Sequence, residues 1–389
     1  MSTDIIYLDY AATTPVDPRV ADIMSAHLTA SGNYANPSAI HIAGRSASDA
    51  VDRATRQLSA LLNCKADELV WTSGATESNN LAIAGAARYR ESRGKHLITM
   101  RTEHKAVCDV FRALEQQGFD VTWLRPKENG RLHIGDFEAA LRDDTQLVSI
   151  MSVNNETGVL QNIEAIGALC RERDVLFHVD AAQGIGKLPF DLGNLPVDLV
   201  SMTAHKLYGP KGIGALYIAD RPGCHVEPLL YGGGQQRRIR PGTLPVHLIA
   251  AFGLAADIAV ASMNNDLLYL QALNERLWAG LSAVSGITRN GSAEHAFPGI
   301  LNVSIDDIEG ESLLLALEPL CVATGSACNS HNKDPSYVLR ALGRSDELAQ
   351  SAIRFSFGRE TTEKDIDFAV QGYHAAVAHL RKIAPGRAA

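Results

Sequence analysis

The sequence lacks the patterns of a metal site, a membrane anchor and a general nucleic-acid surface. Its six cysteines form no C-x-x-C pair and have no zinc-finger spacing to a histidine, so we expect no metal site and a reducing compartment, the cytoplasm. The formal net charge of -8 argues against a nucleic-acid or membrane surface, because phosphate binding requires clustered Lys and Arg. Residues 1–15 have no signal-peptide pattern. The most apolar stretch, Leu248 to Met263, is too short to span a bilayer, and we interpret it as a buried helix.

What the sequence does contain is an alternation of short apolar runs with helix-like segments. The composition, 46% hydrophobic and 21% charged over 389 residues, is that of a globular protein with two domains or one domain and an appendage. The predicted strands are HLITM (96–100), VTWL (121–124), LVSIM (147–151), VLFHVD (175–180), DLVSM (198–202) and GALYIA (214–219). Residues 162–173 between them have helical spacing, and such alternation predicts an α/β fold with a mostly parallel sheet. After about residue 260, a long helical segment (266–284) and sparser strands indicate a second domain.

Polar side chains follow these strands, and open α/β sheets place their chemistry at strand ends. Asp180 ends one strand and Gln183 follows it, although a lone carboxylate there is more often a helix N-cap. Lys206 lies between the next strand and a glycine-rich turn. Burial at such a place favours the neutral amine and makes Lys206 a candidate Schiff-base nucleophile, whereas a lone lysine is usually solvated.

A third stretch, WTSGATESNNLAI (71–83), runs from a strand end into a helix. Free N–H groups and the helix dipole favour an anion such as phosphate there, although a plain capped helix start has the same appearance. His104 and Asn155 follow two further strands, and His104 can stack on a ring. A lysine, a carboxylate, a phosphate cradle and an aromatic partner are what pyridoxal phosphate requires. Together the pieces predict this cofactor.

These motifs resemble the cysteine desulfurases of the class V aminotransferase family, which are fold-type I pyridoxal-phosphate enzymes, and in particular their IscS and NifS branch. The matching segments, in family order, are YLDYAATTPVDPRV (7–20), TSGATES (72–78), TEHKAV (102–107), VNNETG (153–158), HVDAAQ (178–183), HKLYGPKGIGALY (205–217), RPGTLPVH (240–247), GSAC (325–328), PSYVLRALG (335–343) and IRFSFGR (353–359). The resemblance implies a large cofactor-binding domain (15–260) with a mostly parallel seven-stranded sheet. A smaller α/β domain would comprise residues 1–14 and 261–389.

The resemblance also implies how the cofactor is held. Lys206 would carry it covalently, and Asp180 would keep the ring nitrogen protonated. Gln183 would bond the ring hydroxyl, while His104 would stack on the ring and move protons. The phosphate would be held by Thr76 with the backbone of Ala75, by Thr203 and His205, and by Thr243 from the second subunit of a homodimer. Arg354 would grip the carboxylate of L-cysteine, aided by Asn155.

Cys328 lies in VATGSACNSHNKDPS (322–336), a run of small and polar residues that predicts a loop rather than a buried position. Without the other motifs it would be an accidental surface thiol. The resemblance implies that its thiolate takes the sulfur of L-cysteine as a persulfide and that alanine leaves. His331 and Lys333 could favour the thiolate, but a solvated loop explains both. Cys321 is interpreted as a core residue.

Several alternatives stay open at this point. The acceptor of the sulfur could be an iron–sulfur scaffold, a tRNA-thiolation carrier or a DNA-sulfur-modification carrier, because the residues after Cys328 depart from the threonine- and alanine-rich form of housekeeping members. A selenocysteine lyase or another class V enzyme would share cofactor and fold, but the GSAC loop argues against it. A nicotinamide dehydrogenase would need G-x-G-x-x-G after the first strand, which is absent. A non-catalytic scaffold would be expected to have lost Lys206, Cys328 or Arg354.

Overall fold

The structure is a computed structural model that describes residues 5–324 and 334–383 as alternating strands and helices. The strands are β1 (Ile6–Tyr7), β2 (Leu69–Thr72), β3 (His96–Met100), β4 (Asp120–Leu124), β5 (Thr145–Ser149), β6 (Leu176–Asp180), β7 (Leu199–Thr203), β8 (Gly214–Ile218), β9 (Ile287–Arg289), β10 (Ile300–Ile305), β11 (Leu320–Cys321), β12 (Ala323–Thr324) and β13 (Ile353–Ser356). The helices are α1 (Pro18–Ser25), α2 (Ile42–Leu62), α3 (Ala75–Tyr89), α4 (Lys105–Gln116), α5 (Ile134–Ala140), α6 (Ile163–Glu172), α7 (Val246–Leu281), α8 (Gly310–Ala316), α9 (Tyr337–Ala341), α10 (Asp346–Gln350) and α11 (Glu363–Ile383).

Within the described residues, the central sheet has seven strands in the order β2-β8-β7-β6-β5-β3-β4. Only β8 runs antiparallel to its two neighbours, so the predicted mostly parallel sheet is confirmed. Five of the six predicted strands lie within a residue of their predicted ends. The exception is β5, which ends at Ser149, while Ile150 and Met151 stay buried after the strand. The apolar run therefore locates this strand but not its end.

Both faces of the central sheet are covered, and successive strand residues alternate between two hydrophobic clusters. In β6, Phe177 and Val179 belong to one cluster and Leu176 to the other. The first cluster includes residues of α2, α6 and α7, and the second includes residues of α3 and α4. This period-two alternation with apolar residues on both sides is typical of a sheet sandwiched between helix layers.

A second body is built on an antiparallel sheet with the order β12-β13-β10-β9, accompanied by a parallel β1-β11 pair. It has a hydrophobic cluster of its own, to which α8, α11 and Leu8 contribute. The N-terminal segment therefore packs with the C-terminal third of the chain. The predicted division into 15–260 and 1–14 plus 261–389 agrees with this separation of the two cores and stays a prediction.

Helix α7 connects the two bodies without a break. The sequence predicted two helical segments, 248–263 and 266–284, whereas the structure has one helix, Val246–Leu281. Its first half packs into the core of the central sheet, and its second half packs into the second core. The helix is long and apolar enough to cross a membrane, but 56% of its most apolar window is buried inside the protein. We therefore interpret α7 as a core helix.

Candidate active site at the edge of the central sheet

The predicted site residues of the large sheet lie at one edge of it. Strands β2, β3, β5, β6 and β7 point the same way, because β2 and β7 both pair antiparallel with β8 between them. Their carboxyl ends therefore meet at a common edge, which is where ligands bind in open α/β sheets. The residues that follow these ends are Thr76, His104, Asn155, Asp180, Thr203 and Lys206.

Asp180 is the last residue of β6 and is only 5% exposed. Its Oδ2 accepts a hydrogen bond of 2.8 Å from Nδ2 of Asn79, and its Oδ1 accepts one of 3.0 Å from the backbone N–H of Ala182. A buried carboxylate with both oxygens bonded is held in one orientation and stabilised as an anion. Asn79, on α3, was not identified from the sequence, since one asparagine in SNN is not distinguished from its neighbour.

Lys206 ends the 3-10 turn Ala204–Lys206 that follows β7. Its positive charge contributes to lowering the pKa of His104 and of His205, so the three residues lie near one another. For both histidines burial is the larger cause, and the pKa of His205 falls to about 4. Both imidazoles are therefore neutral near pH 7, which leaves Lys206 as the basic group at this edge.

His104 is the N-cap of α4. Its Nδ1 accepts a hydrogen bond of 3.1 Å from the backbone N–H of Ala106. A neutral imidazole that accepts at Nδ1 carries its proton at Nε2. Asp180 raises the pKa of His104 against the dominant effect of burial, which shows that the carboxylate is close. The ring is thus fixed in one tautomer beside Asp180.

The start of α3 has the form of an anion cradle. Its N-cap is Gly74, which provides no side-chain hydrogen bond and has φ +153°, a backbone region that favours glycine. The first N–H groups of the helix accordingly lack a capping partner, and they include those of Ala75 and Thr76. A Cβ at Gly74 would stand 3.9 Å from Oγ1 of Thr203, so this hydroxyl borders the same space. Free N–H groups, a helix dipole and a hydroxyl suit a phosphate.

Residues next to this cradle are held by other parts of the chain. His205 Nδ1 lies 3.2 Å from Oγ1 of Thr13, in the N-terminal segment. Thr243 is exposed, but Arg240 of the same R-P-G-T sequence forms an ion pair with Glu77 in the first turn of α3, with Nε and Oε1 2.7 Å apart. The R-P-G-T segment is therefore tied to the helix that forms the cradle.

Arg354 and Asn155 meet at the boundary between the two bodies. Arg354, on β13, is 6% exposed. Its Nη1 donates to the backbone oxygen of Asn155 over 2.9 Å, and its Nη2 donates to Oδ1 of Asp9 over 2.7 Å. Nε of Arg354 and Oδ1 of Asn155 are buried without a hydrogen-bond partner among the described residues. Buried polar atoms are rarely left unpaired, so this pair indicates a place for a polar ligand.

Gln183 is 3% exposed and already bonded at both ends of its amide. Its Nε2 donates to the backbone oxygen of Ala11 over 2.7 Å, and its Oε1 accepts from Nζ of Lys187 over 3.0 Å. One N–H of Nε2 remains for a ligand. Neither Lys187 nor Asp9 was singled out from the sequence, since each acts on a residue that only the fold brings near.

Cys328, His331 and Lys333 lie outside the described residues, but both flanks of their segment are described. On one side, Ala323 of β12 pairs directly with Arg354 of β13. On the other side, the hydroxyl of Ser336 donates to Oε2 of Glu156 over 2.5 Å, and the hydroxyl of Tyr337 donates to the backbone oxygen of Glu103 over 2.7 Å. The segment that carries Cys328 therefore starts and ends beside the residues of the candidate site.

The chemistry of this donor set fits pyridoxal phosphate. A buried carboxylate suits the ring nitrogen, an amine suits the aldehyde, and the uncapped start of α3 suits the phosphate. Within residues 5–324 and 334–383, no group of three or more His, Cys, Asp or Glu could hold a metal ion. The described part of the site consequently favours an organic cofactor.

Comparisons with known proteins agree with this fit. Residues 6–368 match the family Aminotransferase class-V. Cysteine desulfurase IscS of Serratia proteamaculans (strain 568) is 53% identical over 381 residues, which cover 98% of this chain and 94% of the relative. Among solved structures, a NifS-like protein has a TM-score of 0.90 at 34% identity and covers 97% of this chain and 100% of its own. A structure described as SspA in complex with cysteine has a TM-score of 0.82 at 37% identity and covers 92% and 100%.

The match extends over nearly the whole chain and includes all the motifs from which the resemblance was inferred. Pyridoxal phosphate is the cofactor of this family, in agreement with the donor set at the sheet edge. The chain belongs to the class V aminotransferase family, and within it to the IscS- and NifS-like cysteine desulfurases.

Proposed function

We propose that this cysteine desulfurase converts L-cysteine to L-alanine at the edge of its central sheet and carries the released sulfur as a persulfide on Cys328. The observation that carries the proposal is the convergence of Asp180, Lys206 and the uncapped start of α3 at one edge, with the flanks of the Cys328 segment beside them.

Residues of the large sheet would hold the cofactor. Asp180 would bind the ring nitrogen, His104 would lie on the ring, and the remaining N–H of Gln183 would reach the ring hydroxyl. The phosphate would be bound by Ala75, Thr76, Thr203 and His205. When bound, pyridoxal phosphate supplies an aldehyde that condenses with amines and a ring that withdraws electrons from the substrate's α-carbon.

The substrate would be bound between the two bodies. Arg354 would hold its carboxylate, since a guanidinium fork matches that geometry and Nε is available. Asn155 would help to orient the same group. The amine of Lys206 would take the proton from the α-carbon and later return a proton, because neutral His104 and His205 are weaker bases for that step.

The sulfur step would depend on Cys328. Its thiolate attacks the sulfur of the substrate, so that an S–S bond forms and the C–S bond of the substrate breaks. The electron pair of the C–S bond stays with carbon, which takes up a proton and becomes the methyl group of alanine. The products are one alanine and a persulfide on Cys328, and no external oxidant or reductant is needed.

Thr243 would complete the phosphate site of a second subunit, so we expect a homodimer. The tie between Arg240 and Glu77 supports this by holding the R-P-G-T segment at the start of α3. Sedimentation of the loaded protein tests it: an active monomer with full cofactor occupancy would contradict the proposal. The acceptor of the sulfur stays open among an iron–sulfur scaffold, a tRNA-thiolation carrier and a DNA-sulfur-modification carrier.

The decisive experiment compares Cys328→Ser with Cys321→Ser, which removes a partly buried thiol on β11. Both variants should bind cofactor and cysteine as the wild type does. Only Cys328→Ser should lose the protein-bound persulfide and the steady release of alanine, because a serine hydroxyl is almost un-ionised near neutral pH. Mass spectrometry after addition of L-cysteine measures the persulfide. Alanine formation by Cys328→Ser at the wild-type rate would refute the proposed step and favour a lyase.

A further inference from the structure

The amine of Lys187 lies inside the protein, at the boundary between the two bodies. It borders a cavity of about 30 Å³, large enough for one or two water molecules, that is lined from one side by Tyr208 and from the other by Leu270 and Phe297. Its Nζ stands 5.5 Å from the centre of the Phe297 ring. The side chain therefore has access to the cavity while protein surrounds it. The proposed mechanism does not use Lys187.

The contacts of Lys187 determine which way the amide of Gln183 points. A backbone oxygen only accepts hydrogen bonds, so the atom of Gln183 that faces Ala11 O must be the nitrogen. A lysine amine in its charged form only donates, so the atom that faces Lys187 must be the oxygen. The two contacts, at 2.7 Å and 3.0 Å, specify the same orientation independently. A flipped amide would place N–H against N–H and oxygen against oxygen.

This orientation decides what Gln183 can offer to a ligand. Nε2 has two hydrogens, and one of them is used by Ala11. The other N–H is the group of Gln183 that is free to donate, whereas its oxygen is engaged by Lys187. Gln183 therefore presents a donor. A donor next to a phenolic oxygen stabilises the ionised form of that oxygen, whereas an acceptor would stabilise the protonated form.

We infer that Lys187 is a positioning residue, which holds the side-chain amide of Gln183 so that it donates to the ring oxygen of the cofactor. The inference rests on the proposed role of Gln183 in binding that ring. Lys187 itself touches neither cofactor nor substrate in this arrangement; it acts through Gln183.

The electrostatic surroundings of Lys187 are compatible with this role. Burial, and then the charges of Lys206 and Arg354, lower its pKa to about 7. The nearby acid on the cavity wall, Asp266, is paired with Arg359, with Nε and Oδ2 2.6 Å apart. A neutral amine still carries two hydrogens, so donation to Gln183 persists on both sides of that pKa. The orientation of Gln183 consequently does not require the proton.

The test is a double-mutant cycle with Lys187→Met and Gln183→Leu, read by the visible absorption of the bound cofactor as a function of pH. Each single variant should move the midpoint of the absorption change upward by about one pH unit, tenfold in proton affinity, because one hydrogen bond to an ionised oxygen is lost. Adding Lys187→Met to Gln183→Leu should produce no further shift. Lys187→Arg keeps a donor and should retain the wild-type midpoint.

Other outcomes separate the two claims. If Gln183→Leu alone moves nothing, the proposed role of Gln183 is wrong. If Gln183→Leu shifts the midpoint but Lys187→Met does not, Lys187 is not a positioning residue. An equal shift from Lys187→Met in both backgrounds would also overturn the inference, because it would mean that the lysine acts directly through its charge. If Lys187→Met does not bind cofactor, Lys187→Gln is used in the same cycle.

Discussion

The proposed cofactor side and the proposed substrate side of the site are built from contacts of different range. On the cofactor side, Asp180 lies at the end of a central strand and has both oxygens bonded, by Asn79 and by the backbone of Ala182. On the substrate side, Arg354 comes from the second body and is held by Asp9 and Asn155, from two distant segments. The charged group of the first side is fully paired, whereas Arg354 keeps a buried Nε without a partner.

The difference corresponds to what each side would bind. A cofactor stays in place through many turnovers, so its anchor can be satisfied and rigid. A substrate enters and leaves, so a donor has to stay available for it, at the cost of an unpaired buried atom when the site is free. The comparison makes four predictions, in order of decreasing effect on turnover.

The largest effect is expected from Lys206→Ala, which tests the cofactor side at its reactive group. It removes the covalent anchor and the proton carrier together, so turnover should fall by more than about a thousandfold. The control is Lys211→Ala, which changes an exposed lysine on the following turn. Alanine production from L-cysteine is the measurement. Substantial turnover by Lys206→Ala would remove the lysine from the mechanism.

Arg354→Lys tests the substrate side. The charge is kept, but the planar fork is lost, so kcat/KM for L-cysteine should fall roughly 10- to 100-fold, mainly through KM. Cofactor absorption should be unchanged, because Arg354 belongs to the other side of the site. Arg344→Lys, in which the original guanidinium bonds Asn290 away from the site, is the matched control. A loss of cofactor from Arg354→Lys would show that the two sides are not separate.

Asn79→Ala sharpens the comparison from the cofactor side. It removes one of the two hydrogen bonds to Asp180, so the carboxylate is less stabilised and kcat should fall about tenfold while KM changes little. The neighbouring Asn80→Ala loses only a bond to the backbone of Thr76 and should keep its kcat. Equal losses in both variants would mean that α3, and not Asp180, was disturbed.

The smallest effect on turnover is expected from Glu156→Gln, which instead changes stability. Burial raises the pKa of Glu156 to about 7, while Ser336 and Arg354 lower it. An acid whose folded pKa lies above its unfolded value of 4.5 binds its proton more tightly in the folded state. Its ionisation therefore destabilises the protein as pH rises from 4.5 to 7, by up to about 1.4 kcal/mol per pH unit.

Glu156→Gln should remove this dependence and make the free energy of unfolding flatter over that window. Denaturant titrations at pH 5 and pH 7 measure it, with the exposed Glu172→Gln as the control. An unchanged pH dependence in Glu156→Gln would show that Glu156 does not titrate in that range.

The sequence by itself determined the class of fold and the chemistry of the sheet edge. The alternation of apolar runs and helical spacing predicted the mostly parallel central sheet, and the residues after those runs included Asp180, Lys206, His104 and Thr76. This works because strand and helix patterns are local, and because the carboxyl ends of parallel strands share one edge. A residue just after a strand can thus be placed without knowing the rest of the fold.

Only the tertiary structure decided which distant residues complete the site. Asp9 reaches Arg354 through the N-terminal segment, Glu156 meets Ser336 across the boundary of the two bodies, and Lys187 orients Gln183 from the cavity between them. The continuity of α7 is of the same kind, since its two halves face different cores and so present no single apolar stripe along the sequence. These contacts depend on long-range packing, which local periodicity does not specify.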